Sequence, residues 1–203
     1  MALFTDLVIL VAPFASNVPD FTAGNAIRES ARQFFREAWG MQQEVPINVV
    51  AGTNVYTVPS ADANTEVVAL LGIKRSEYDT LNQLQQDAPV KITGKPTGYL
   101  GEFDRKVKLI PTPDTDETLV ATVAVRPTFS ASSIDDAAFS YHAEAIRYGA
   151  LAILKSQAGT DWHAPQEIDY YTGLFNQAIA ERRAEILLNN QPNNLQIHIP
   201  EFV

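Results

Sequence analysis

The sequence predicts an α+β fold: a helical bundle core, an inserted antiparallel β-sandwich or meander, and an extended C-terminal arm. Three observations point there. Apolar residues recur at intervals of three and four over 22–39 and again beyond 135, whereas the stretch between is rich in Val, Ile, Thr and Tyr and punctuated by Pro and Gly. The final stretch alternates apolar and polar residues behind a polar leader.

The first helix is read from Ala26, Ile27, Ser30, Ala31, Phe34, Phe35, Ala38 and Trp39, which share one face, with Arg28, Arg32 and Arg36 on another. Gly40 stands where a helix stops, and Pro46 follows within the expected distance. Candidate strands then cover 45–50, 54–58, 66–74, 99–103, 107–110 and 118–126. Turns at Ala51-Gly52-Thr53, Asp104-Arg105 and Pro113-Asp114-Thr115-Asp116 separate several of them. The weak alternation over 118–126 predicts a strand covered on both faces.

Asp135 and Asp136 are suited to cap the next helix, 138–158, with Ala145, Ile146, Gly149, Ala150, Ile153 and Leu154 inward. Its small residues predict close helix packing. A connector, 159–165, leads into a last helix over 165–188, with Ile168, Tyr171, Phe175, Ala178, Ile179 and Ile186 as the buried stripe. Trp162 in the connector either staples the two helices or meets a partner. The division that follows is 1–44 as the N-terminal helical part of the core, 45–130 as the β insertion, 131–188 as the helical hairpin completing the core, and 189–203 as the arm.

In the arm, Leu195, Ile197 and Ile199 fall on one face of an extended strand, with Phe202 beyond them. These four are the candidate partner-binding residues. Two readings stand: an arm that adds a strand to another protein or subunit, and an edge strand returning to its own sheet. Burying the four gains about 6 to 12 kcal/mol, and ordering about eight backbone residues costs a similar amount. Docking on another protein or a neighbouring subunit would therefore need strand pairing and many arms engaged at once.

Composition narrows the chemistry. A chain of 203 residues with 46% hydrophobic content can bury a proper core, so wholesale disorder is excluded. The absence of cysteine removes disulfides, thiolate nucleophiles and cysteine-ligated metal. The apolar run Leu7-Val8-Ile9-Leu10-Val11 is preceded by Asp6 and cut by Pro13, so it predicts neither a membrane span nor an export signal. A net charge of −9 argues against gripping phosphate backbones, though such a surface lets DNA pass without sticking.

No catalytic or cofactor motif emerges. His142, His163 and His198 lack the paired spacing of a zinc site. Ser140-Tyr141-His142 lies along a helix without a glycine elbow, so these residues read as helix surface. Gly94-Lys95-Pro96 lacks the rest of a phosphate loop and reads as a turn. The pairs Asp135/Asp136, Asp114/Asp116 and Glu167/Asp169 sit at turns or helix starts, where acids cap.

Several segments together resemble the head-to-tail adaptor, or connector, proteins of tailed bacteriophages. They are Ala26-Ile27-Arg28-Glu29-Ser30-Ala31-Arg32-Gln33-Phe34, the strand, glycine turn and strand from Val45 to Pro59, Gly94-Lys95-Pro96-Thr97-Gly98-Tyr99-Leu100, Val107-Lys108-Leu109-Ile110-Pro111, Val123-Ala124-Val125-Arg126-Pro127, and Gly149-Ala150-Leu151-Ala152 with Trp162, Pro165 and Tyr170. The joint order, over about 1–188, carries the resemblance. It implies a non-enzymatic virion protein made in the host cytoplasm, without cofactor or metal. It also implies a homo-oligomeric ring, commonly of about twelve copies, at the neck. The portal would lie on one side and a tail tube, nozzle or further connector on the other, with DNA passing through unbound. Two rivals remain: a carbohydrate- or protein-binding module of a tail or baseplate with Tyr56, Tyr78 or Tyr99 as an aromatic platform, and an Asp/Glu glycan hydrolase.

Overall fold

The computed structural model describes residues 1–60, 62–84, 92–102 and 105–188. Strand β1 (Ala2–Leu3) and a short 3-10 helix (Asp6–Leu10) precede helix α1 (Asp20–Ala38). Strands β2 (Gln42–Val49), β3 (Val55–Thr57), β4 (Thr65–Ser76), β5 (Asp79–Gln83), β6 (Gly98–Gly101), β7 (Lys106–Ile110), β8 (Glu117–Pro127) and β9 (Ser133–Ile134) follow. Helices α2 (Asp136–Lys155) and α3 (Pro165–Leu187) complete the described chain. The fold is α+β, as the periodicity predicts.

Seven strands form one sheet in the order β2-β8-β4-β5-β6-β7-β3. Every pairing in it is antiparallel except β5 with β6. On β2, Val45, Ile47 and Val49 are buried and alternate with exposed neighbours. Pro46 is tolerated there because β2 is an edge strand and needs no donor on its open side. β8 is flanked by β2 and β4, and buries Leu119, Ala121, Val123, Ala124 and Val125.

Helix α1 lies between this sheet and the other two long helices. α1 packs on α2, α3 and β8. Its buried positions Ala26, Ile27, Ser30, Ala31, Phe34, Phe35 and Ala38 are those of the predicted face. One apolar cluster unites Ile27, Phe34 and Phe35 with Ile146, Leu151 and Leu154 of α2 and with Val45, Leu119 and Val123 of the sheet. β1 pairs with β9 and brings the start of the chain beside the start of α2.

Three details differ from the sequence reading. The left-handed residue closing α1 is Trp39 (φ 57°), not Gly40. β5 was not expected; its alternation shows only Leu81 buried among polar residues. Of the stripe predicted for α3, Phe175 alone is fully buried, and Ile168, Tyr171, Ala178, Ile179 and Ile186 are half-buried. The arm 189–203, with Leu195, Ile197, Ile199 and Phe202, lies outside the described residues, as do Phe103 and Asp104 of the predicted strand end and turn.

Candidate functional site

The helical hairpin is fastened at one end. Lys155, buried near the end of α2, pairs with Glu167 at 3.1 Å, and its carbonyl takes the Ala164 N–H and lies 2.8 Å from His163 Nδ1. Trp162 donates its indole N–H to Gln157 Oε1 at 3.0 Å and lies half-buried against the core, so it staples the helices. Asp135 caps α2 by accepting the Ala138 N–H at 2.9 Å. Midway along α2, Gly149 has no side chain to separate it from Ser30 of α1 and Phe175 of α3. That close approach is the packing role its small-residue neighbourhood predicts.

Toward the other end the hairpin opens into a groove between α2 and α3. Its deeper part is lined by Phe34, Ala145, Tyr148, Leu174 and Ala178. It continues through Tyr141 and His142 to a mouth of about 910 Å³ lined by Gly40, Ala137, Ala138, Ala184 and Leu188. Glu144, Glu181, Arg182 and Glu185 edge it. The floor is made of small and apolar residues and the rim is charged.

His142 corrects the sequence reading, which put it on the helix surface. Its ring is buried between Phe34, at 4.8 Å between centroids, and Phe35, at 5.7 Å. Helical spacing explains this, since 142, 146 and 149 repeat at three and four along the buried face. Burial, aided by the nearby Arg182 charge, pushes its pKa down to about 4, against the opposing pull of a backbone hydrogen bond with Gly40 and of Glu185. The imidazole is neutral at pH 7. Ser140 and Tyr141 are exposed, as expected for helix surface.

Charged groups elsewhere join elements rather than converge in a cleft. Glu66 of β4 accepts from Arg126 Nε at 2.6 Å and from Arg32 Nη2 at 3.2 Å. Desolvation opposes its charge, but the two guanidinium groups outweigh it and hold the carboxyl below the usual range. Arg32 also donates to the Pro127 carbonyl and lies over the Phe129 ring. Arg75 is bidentate to Glu117 at 2.6 and 3.2 Å, reaches Asp79 at 2.6 Å and the Pro96 carbonyl at 2.8 Å. Its pKa is raised, chiefly by the Glu117 hydrogen bonds.

The carboxylate pairs are placed apart. Asp136 meets the amino terminus, Asp116 accepts the Ala51 N–H, and Glu167 pairs with Lys155. Gly94-Lys95-Pro96 is a turn in which the Gly94 N–H bonds the Thr112 carbonyl. Among the described residues no three His, Asp or Glu side chains are grouped to hold a metal. No described helix is long and apolar enough to cross a membrane. The three tyrosines of the platform reading do not form one: Tyr99 is buried, Tyr56 donates to the Val50 and Thr53 carbonyls, and Tyr78 stands alone on the hairpin joining β4 to β5.

The chain uses its described charges to brace its own elements and carries its groove on a helical hairpin. It belongs to the SU10 adaptor protein family, whose model matches residues 3–195. This is a family of bacteriophage structural adaptors, virion proteins that contact portal and tail components. No curated protein matches the chain. The groove itself went unread in the sequence. Its signal was available in the alanines 137, 138, 145, 178 and 184, which leave space along both helices.

Proposed function

We propose that the protein is a head-to-tail adaptor that forms a closed ring beneath the portal, joins capsid to tail and lets DNA pass. The family match across nearly the whole chain carries this reading. The ring holds about twelve copies, each presenting different surfaces to its two neighbours. Large apolar side chains are exposed both near the start of the chain, at Ile9, Phe14 and Phe21, and on the hairpin, at Tyr141, Tyr170 and Leu187, which supports contacts with neighbours. A net charge of −9 supports a lumen along which DNA slides without adhering. No catalysis or cofactor belongs to the role. In this reading 1–44 and 131–188 form the core, 45–130 is inserted into it, and the arm 189–203 reaches the portal or a neighbouring subunit through Leu195, Ile197, Ile199 and Phe202.

The test is molar mass by light scattering on the purified chain, alone and mixed with a portal oligomer from the same genome. Co-migration in a ring-sized complex, lost when 189–203 is deleted, is the expected result. A chain that stays monomeric and ignores the portal at every salt concentration would overturn the reading.

A further inference from the structure

Two faces of the helical layer carry groups of opposite charge that the chain itself does not pair. One is the outer stripe of α1. Phe21 and Phe129 are exposed there, and the guanidinium groups of Arg28 and Arg32 lie 5.5 and 5.3 Å from the centre of the Phe129 ring. Arg32 is matched by Glu29 and Glu66. Arg28 is not: it donates to Asn25 at 2.8 Å, its Nε is buried without an acceptor, and among the described residues no carboxylate pairs with it. In a chain of net charge −9, such an arginine stands out.

The other is the side of α3 turned away from the core, where Gln166, Asp169, Tyr170, Gly173, Gln177 and Ala180 share one exposed face by helical spacing. Asp169, and Glu181 at the edge of this face, pair with no cation among the described residues; Glu181 only accepts from Gln177 at 2.8 Å. Gly173 stands in mid-helix, where alanine would hold the helix better. A Cβ there would meet nothing within 4 Å, so packing inside the chain does not account for this glycine as it does for Gly149.

We propose that these two faces meet between copies of the chain: the stripe of Phe21, Arg28 and Phe129 on one copy docks on the outer face of α3 of the next, with Arg28 set against Asp169 and Glu181. The charges are complementary, and Gly173 leaves the α3 backbone open to the approach of an aromatic ring. Because the two faces differ, the contact runs head to tail. A two-fold contact would set Arg28 against its own copy, or the α3 acids against theirs, and like charges oppose both. The α3 face over 166–181 is roughly 24 Å long and about 10 Å wide. That footprint is well short of the roughly 800 Å² per partner of a stable pair. One contact is therefore weak, and the closure of many contacts into a ring holds the assembly.

The inference rests on the ring reading and deepens it by naming the two faces that repeat around the ring. The test uses the natural absence of cysteine and traps the weak contact covalently. Full-length S130C, beside Phe129, and full-length G173C place one thiol each at exposed positions on the two faces. Mixed in equal amounts and oxidised, they should form the S130C–G173C heterodimer about tenfold faster than either homodimer. Adding R28E to the S130C chain should remove that preference, and adding D169R/E181R to the G173C partner should restore it, which a damaged fold would not do. Homodimers forming as fast as the heterodimer, a preference indifferent to R28E, or a charge swap that fails to restore it would each overturn the proposal. Portal binding of the parent chain is measured separately. A heterodimer preference without a portal complex keeps this contact and removes the adaptor reading, and a portal complex without the preference does the reverse.

Discussion

The Ser30 hydroxyl occupies the space that a Cβ at position 149 would need. Ser30 Oγ donates to the Ile146 carbonyl at 2.7 Å from within the core, and Gly149, one turn along α2, leaves it room. A Cβ there would also come within 2.8 Å of the Phe175 ring. This contact sets the spacing of all three helices.

Gly149→Ala therefore opposes two effects. Helix propensity gains about 1 kcal/mol, and overpacking costs about 1 to 3 kcal/mol. Because the obstacles come from two elements, net destabilisation of about 1 to 2 kcal/mol is expected in urea unfolding. Adding Ser30→Ala removes one obstacle, so the double variant should be more stable than the sum of the single changes by about 0.5 kcal/mol or more. Strict additivity would show that the two residues do not compete for space.

His142 makes stability depend on pH in a defined window. Its folded pKa of about 4 lies below the ordinary 6.5. Between these values the unfolded chain binds a proton that the folded chain refuses, so stability is full above pH 6.5 and falls as the pH drops toward 4, by at most roughly 3 kcal/mol. Glu66 adds to the acid loss below its ordinary 4.5: its folded pKa is depressed, so its contribution is full above that value and is lost as the pH falls through the folded pKa. His142→Leu should flatten the slope of unfolding free energy between pH 4 and 6.5. An unchanged slope in that variant would assign the acid sensitivity elsewhere.

Arg75 joins β4 to β8, to β5 and to the turn before β6 through Glu117, Asp79 and Pro96. Lysine keeps the charge but cannot present a planar fork to three partners. Arg75→Lys is expected to lower stability by roughly 1 to 3 kcal/mol, read from the urea midpoint at constant m value. A loss within error would show the cluster to be surface decoration.

The helices and most strands were legible because each repeats a hydrophobic period over many residues. Ala26 through Ala38 read as one face and is one. The site was less legible, for identifiable reasons. His142 is polar, so composition placed it outside, whereas its spacing from Ile146 and Gly149 placed it inside. β5 carries one buried residue, Leu81, too few to register as an alternating strand. The parallel pairing of β5 with β6 depends on a connection whose ends meet only in three dimensions. Trp39 shows the same limit: glycine is the usual left-handed cap, yet here Trp takes that conformation because its ring has a partner far along the chain.

That partner is Arg183, whose guanidinium lies 3.0 Å from the centre of the Trp39 ring and whose Nη1 donates to the Glu37 carbonyl at 2.8 Å. Phe175 is the one fully buried residue of α3, and beyond it Ala178 and Ile179 pack half-buried on the core, so this clasp on the end of α1 adds a further hold on the second half of the helix. Arg183→Ala removes both the stacking and the hydrogen bond and should cost about 1 to 2 kcal/mol, concentrated locally. Amide exchange over 180–188 should accelerate while the α1 core, Ile27 through Phe35, keeps its protection. Arg183→Lys should give an intermediate effect, because a lysine retains cation–π attraction but not the flat stack. If exchange over 180–188 in Arg183→Ala matches the parent, the C-terminal half of α3 is anchored by its half-buried apolar residues, Ile179 and Ile186, rather than by the clasp.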